Sequence, residues 1–445
     1  MATATPPAAA LERVIGLRAL TASAVNMTIG SGIFALPAVI AGILGPAAPI
    51  PYFICALAMA LVVLCFAEAG SRVHRTGGAS AYAEAAFGPF IGALTGVLLY
   101  VGTGALASAS VMNIFATTLA VISPPLGEPW PRGIIMAVTY GALAYLNILG
   151  ARPGVRAMEV FSIGKILPLV ALAAVGVFFM HPQNFSIGAL PNRIDLGRAC
   201  VVLVFAFLGF ESALSPSGEV KDAHHSVPRA VLYALGIVTV LYLSIQMVAQ
   251  GVLGAQLAAE KDAPLAATAA AVMGPFGMKL MLLGALLSTF GYLVGDALTN
   301  PRTLFALAEN RILPGALGSV HPRFRTPWIA CATHAVLCFL LAVSGTYVGL
   351  IVAASFCILI VYMMIAIAVI QLRKLGVHAD GEPFVVPGGL LVPGFAILVV
   401  GYIAANSKLV EMIGAGVAIV LGTLLYYLPR MLGGRGASAR APVEG

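Results

Sequence analysis

The sequence predicts an all-α integral membrane protein with about twelve crossing helices. They form two five-span halves of opposite topology, a 5+5 inverted repeat in which helices 1 and 6 are discontinuous. Three observations carry this reading. Of the 445 residues, 60% are hydrophobic and only 9% are charged, with a mean hydropathy of +1.01, whereas a soluble domain carries roughly 25% charged residues. At ~20 residues per crossing, twelve apolar segments follow one another at 17–44, 48–69, 89–122, 130–149, 157–180, 197–220, 229–254, 274–300, 328–345, 347–371, 390–406 and 408–428. The first and sixth of these carry helix breakers where the backbone should run on.

The first span holds "NMTIGSGIFALP", Asn26 to Pro37. Each Gly costs ~1 kcal/mol relative to Ala in a helix interior, and lipid has no water to satisfy a freed backbone group. Such a break survives where it is buried in protein or lines a polar cavity. The sixth span reads "VVLVFAFLGFESALSPSGEVKD", with Gly209, Glu211, Ser212, Ser215 and Pro216 following an aromatic stretch. Five crossings separate the two breaks, so the spans run in opposite directions. Matching interrupted spans in two halves are the sequence pointer to an inverted-repeat transporter.

The net charge of +7 is a topology signal. With both termini in the cytoplasm, 17 of the 24 Lys and Arg residues lie in inside segments, six lie outside and Lys165 is left within a span. That bias follows the positive-inside rule and gives no reason to expect nucleic acid as a partner. The N-terminus lacks a charged region before a short apolar core, so the first span is expected to act as an uncleaved insertion signal. The expected organisation is a cytoplasmic tail at 1–16, a core at 17–371 with repeats of about 17–180 and 197–371, and a cytoplasmic loop at 372–389. Peripheral spans 11 and 12 at 390–428 and a tail at 429–445 complete it.

The breaks suggest their own chemistry. The second half of a broken helix presents free N–H groups, and with the local dipole these form an anion site. In span 1 they belong to Ser31, Gly32 and Ile33, beside Thr28 and Gly30. The span 6 break frees carbonyls near Phe205 and Leu208, which suit an ammonium group. Together they read as a clamp for the two charged ends of an α-amino acid. The alternative for Gly-Ser-Gly is close crossing of two helices through small residues.

These residues resemble the amino acid–polyamine–organocation superfamily of amino acid permeases, with its LeuT-type fold. "GSGIF" matches the carboxylate loop of that family, and "FAFLGFES" with "GEVKDAHHSVPRAV" resembles its span 6 and exit loop. "RTGGASAYAEAAFGPFIG" is similar to the stretch after span 2, and "NPRTLFALAENRILP" to the loop after span 8. The resemblance covers roughly residues 12–375 and implies secondary transport of amino acids as symporter or exchanger. The arginine pocket of related arginine/agmatine exchangers is not carried over, because Phe205, Ala107 and Asp296 stand where they have Trp, Asn and Trp. Asp222-Ala223 replaces the frequent Asn-Pro after span 6.

A charge within the membrane costs several kcal/mol unless it is paired or wetted, which singles out three residues for coupling or gating. Glu211 is expected at the span 6 break, either as a proton-sensitive group or as an acceptor capping freed N–H groups. Lys165 lies ~12 Å along span 5 and Asp296 ~25 Å along span 8 at ~1.5 Å per residue, so both reach the cytoplasmic half at similar depth. Many relatives in the resembled family carry a lysine in span 5, and matching it to Lys165 implies an amine that braces the span 1 break in place of a sodium ion. A static Lys165–Asp296 ion pair is the alternative. Glu68 and Glu159 are assigned no role at their span ends. Asn26, Thr103 and Ser108 read as interhelical hydrogen-bonders.

Six histidines fall in loops and His334 stands isolated in span 9, so no clustered metal ligands are visible and no metal or other cofactor is expected. The six cysteines read as small hydrophobes. The expected function is amino acid transport across the inner membrane by alternating access, coupled to protons or to exchange. The apolar lining of Thr28, Phe205, Leu208, Thr103 and Ala107 favours small or hydrophobic neutral substrates. A sodium-coupled or cationic amino acid/polyamine transporter of the same fold is the runner-up. An integral membrane enzyme fits the short loops poorly.

Overall fold

The computed structural model describes residues 16–73, 78–150, 155–186, 188, 190–210, 223–310, 312–377 and 383–432, and these are helical with no strand among them. Helices are forced by the solvent: in hydrocarbon every backbone group must be paired within its own segment. Six helices are long and apolar enough to cross a membrane, and the bent pair Leu17–Thr28 and Gly32–Ala47 makes a seventh crossing with a 53° bend. The rods Pro129–Ile148, Arg193–Val204, Trp328–Ser344, Leu391–Ala405 and Leu409–Leu432 are shorter or more polar, and they occupy the remaining places in the expected series.

Two boundaries move. Span 8 runs from Pro264 to Glu309, broken only at Gly274 with φ 65°, and passes through Pro301 where the sequence suggests an end. A proline removes one hydrogen bond and disfavours a helix interior, yet the helix continues past it to Glu309. Span 3 contains a wider π-helical turn over Tyr100–Leu106, between Pro89–Leu99 and Ala107–Ile122. Such turns collect at functional sites because they leave the regular ladder with misaligned carbonyls.

The packing repeats when spans 1–5 are exchanged with spans 6–10. Span 1 lies along span 7 as span 6 lies along span 2, and span 5 packs on span 8 as span 10 packs on span 3. Spans 5 and 7 touch, as do 10 and 2. Spans 11 and 12 lean on spans 2, 3, 6 and 10 outside this pattern.

Where spans 2 and 10 finish, the structure corrects the reading of Glu68. Its side chain is fully buried and accepts from Arg72 Nε at 3.0 Å, Arg373 Nε at 2.7 Å, Arg373 Nη2 at 2.5 Å and the Val386 N–H at 2.9 Å. Ser71 Oγ also donates to the Phe384 carbonyl, and Arg72 Nη1 to that of Val377. A carboxylate that the sequence assigns no role ties span 2 to span 10 and to the chain that follows it.

Candidate substrate and coupling site

The first half of span 1 ends at Thr28 and the second begins at Gly32, with Ile29 leaving the helix at φ −72° and ψ 89°. Three of the carbonyls freed at the end of the first half are taken by side chains. Lys165 Nζ donates to Asn26 O at 2.5 Å and to Ile29 O at 2.7 Å, and Tyr242 OH on span 7 donates to Thr28 O at 3.0 Å. The freed donors are not: the N–H groups of Ser31, Gly32 and Ile33 find no acceptor among the described residues. Ser31 Oγ and Asn26 Oδ1 are buried and likewise without a partner. The break therefore presents unpaired donors on one side and a protein cation on the other. Thr28 Oγ1 turns back to Ala24 O and offers no group to the gap.

The span 6 break lies directly against this gap. A short tight turn over Phe205–Phe207 ends at Leu208, and Gly209 follows at φ 111°. The Phe205 carbonyl closes that turn by accepting from Leu208 N–H at 3.3 Å, so it is less free for an ammonium than the sequence suggests. Two glycines lock the breaks together. A Cβ on Gly209 would stand 2.5 Å from Met27 O, and one on Gly32 would stand 3.2 Å from Phe205 Cδ1 and 3.4 Å from Ala206 Cα. Gly30 differs: the nearest atom to a Cβ there is Thr28 O at 4.0 Å. Glycine at 32 and 209 is thus a packing requirement, while the space lies beside Gly30. Glu211 falls outside the described residues.

Asp296 does not meet Lys165; no ion pair joins the two. Asp296 Oδ2 accepts from Ser108 Oγ at 2.7 Å and lies 2.9 Å from His334 Nε2, and Oδ1 accepts from Asn300 Nδ2 at 2.6 Å. This corrects the reading of His334 as isolated and of the chain as lacking clustered ligands: Asp296, His334 and Cys338 come together, all buried. Cys338 Sγ is 3.6 Å from both ring nitrogens, a position on neither nitrogen's lone-pair axis, and the 2.9 Å carboxylate–imidazole contact is a hydrogen bond. Helix spacing puts Cys338 one turn beyond His334 on span 9, but no local signal links span 9 to Asp296. Ser108 is an interhelical hydrogen-bonder as expected. Thr103 Oγ1 stays within its own helix, and its carbonyl accepts from Tyr292 OH at 3.0 Å.

An all-helical membrane bundle with two facing broken spans, one presenting free N–H groups and the other pressed onto it through glycine, has the architecture of a secondary transporter. The chain belongs to the amino acid permease family, whose sequence profile matches residues 15–433. It is 29% identical to the serine/threonine exchanger SteT of Bacillus subtilis (strain 168), over 93% of this chain and 95% of that one. It is 25% identical to the branched-chain amino acid permease BcaP of the same organism, over 94% and 93%. The methylthioribose transporter of that organism is also 25% identical, over 94% and 93%. The protein is a multi-pass membrane transporter of the permease type.

Proposed function

We propose that this protein moves amino acids across the cytoplasmic membrane by alternating access, without sodium, as an exchanger or a proton-coupled symporter. Both termini lie in the cytoplasm in this reading. The observation that carries it is the division of labour at the span 1 break. The Lys165 ammonium takes the carbonyls of Asn26 and Ile29, which a bound sodium ion would otherwise need as ligands. The opposite side keeps unpaired N–H groups at 31–33, aimed by the second half-helix at an anion. An α-carboxylate beside Gly30 satisfies them. The ammonium end of the substrate then falls toward the span 6 break near Leu208, and Glu211 is the acidic group nearest to it in sequence. Phe205, Leu208 and Ala107 leave an apolar side-chain environment, which suits small or hydrophobic neutral substrates. The relatives' names, a serine/threonine exchanger and a branched-chain permease, lie within that range.

The reading is tested by counterflow of a panel of radiolabelled amino acids into proteoliposomes in sodium-free buffer. Accumulation of at least one small or branched neutral amino acid, unchanged when sodium is added, is the expected result. Accumulation that appears only with sodium would overturn sodium independence, and its absence across all amino acids would overturn the substrate class.

A further inference from the structure

The polar cluster around Asp296 is unused by the carboxylate clamp, yet it links six side chains from four spans. We propose that Asp296 and His334 form a proton-binding site where spans 3, 4, 8 and 9 meet, distinct from the span 1 break. The inference rests on the transport reading above and names the group that would carry its coupling proton.

Asp296 and His334 are 5% and 2% exposed. Tyr140 OH lies 3.1 Å from Ser108 Oγ, and Ser108 donates to the carboxylate. Tyr100 OH lies 3.1 Å from His334 Nδ1, and His334 Nε2 faces the same carboxylate oxygen. With the carboxylate ionised and the imidazole neutral, every hydrogen in the cluster can point toward Asp296: Tyr140 to Ser108, Ser108 to Asp296, Tyr100 to His334, and His334 to Asp296. One added proton fits on His334 Nδ1 by rotation of the Tyr100 hydroxyl alone. That step turns a buried unit of negative charge into a neutral carboxylate–imidazolium pair without moving a heavy atom. An unpaired buried charge costs several kcal/mol, so occupancy of this site by a proton changes the energy of the spans around it.

The surroundings leave the pair as the charge-determining unit. Span 3 contributes Tyr100 and Ser108, span 4 Tyr140, and span 9 Cys338 and Cys331. On span 8 itself, Tyr292 donates to Thr103 O and Asn300 to the carboxylate. Arg302 also lies on span 8, beyond Asn300. From span 5, Lys165 is committed to the span 1 carbonyls; from span 7, Tyr242 is committed to Thr28. No Lys or Arg forms an ion pair with Asp296 among the described residues; His334 alone does. A cavity of about 10 Å³, lined by Tyr140, Asp296, Cys331 and His334 among others, has room for about one water beside the pair. The π turn of span 3 begins at Tyr100, so the hydroxyl that must rotate sits on the least regular turn of that helix.

The test uses the full chain in liposomes loaded with a pH-sensitive dye, with gradients of labelled L-serine or L-isoleucine as probes. Wild type is expected to acidify the lumen as label enters. In Asp296→Asn the ratio of protons to label should fall to the protein-free background, and His334→Gln should lose most of it. Persistence of the wild-type ratio in both variants, or label entry by wild type with no acidification, overturns the proposal while leaving amino acid transport intact. If no label moves, the transport reading fails and the pair is judged in detergent by infrared spectroscopy. An imidazolium ring band that grows on acidification in wild type and is weaker in His334→Gln supports the site; an identical band in both overturns it. Should the asparagine variant not fold, His334→Gln is read in the same assays.

Discussion

Lys165→Met is expected to abolish transport in sodium-free proteoliposomes while the protein still inserts and purifies. The side chain fills similar volume, so the loss is chemical. It removes the donor that satisfies Asn26 O and Ile29 O, and each buried acceptor left unpaired costs about 1–3 kcal/mol. Those carbonyls fix the angle at which the first half of span 1 meets the second, and with it the aim of the N–H groups at Ser31, Gly32 and Ile33. Lys165→Ala should behave alike. A particular gain would be informative: if sodium restores transport to Lys165→Met, the freed carbonyls accept a metal cation where the ammonium stood. Unimpaired sodium-free transport by Lys165→Met would remove the residue from the mechanism.

Glu68→Ala is expected to be the most destabilising single substitution outside the breaks. It leaves Arg72, 8% exposed, and Arg373, 16% exposed, without their shared carboxylate, and the Val386 N–H without its acceptor. Breaking a buried ion pair from one side costs about 3–5 kcal/mol, and the partial exposure of Arg373 puts the expected loss near the lower end, about 3 kcal/mol. The check is a thermal melt of the detergent-solubilised protein, with the wild type as the reference. A melting temperature equal to that reference would show that the cluster contributes nothing to holding spans 2 and 10 together.

Much of this molecule is legible in its sequence, and the limit has a physical form. Span positions follow from apolar length, since lipid imposes the same requirement on every crossing. The break at Gly30–Ser31 is visible because its residues are neighbours in the chain. Gly209 carries the same local signature, although its task, admitting the Met27 carbonyl at a distance no side chain permits, belongs to packing. Depth is less readable: counting residues predicts Lys165 and Asp296 at similar heights on spans 5 and 8, but these spans pack with Gly164 against Leu287 and Phe161 against Gly291, so Asp296 lies further along span 8 than the level of Lys165.

Direction around the helix axis is not readable in the same way. Lys165 turns to span 1, and Asp296 turns to spans 3 and 9. A hydrophobic pattern that is apolar on all sides gives no azimuth, so charges on two packed spans need not meet. His334 and Asp296 are 38 residues apart, and Glu68 and Arg373 are 305 apart. Only the Glu68–Arg72 half of that cluster had a local signal, the four-residue spacing of an intrahelical ion pair.

The central claim is that backbone N–H groups at the span 1 break hold the carboxylate of an amino acid. Substitution at Gly32 tests it poorly, because a side chain there strikes Phe205 and Ala206 before it meets a ligand. Changing the ligand leaves the protein intact. The direct measurement is competition for uptake of a transported labelled amino acid by two unlabelled compounds with the same side chain, the amino acid and its decarboxylated amine. The account predicts full competition by the amino acid and little or none by the amine at the same concentration. Equal competition by the amine would show that the carboxylate is not what the broken helix recognises.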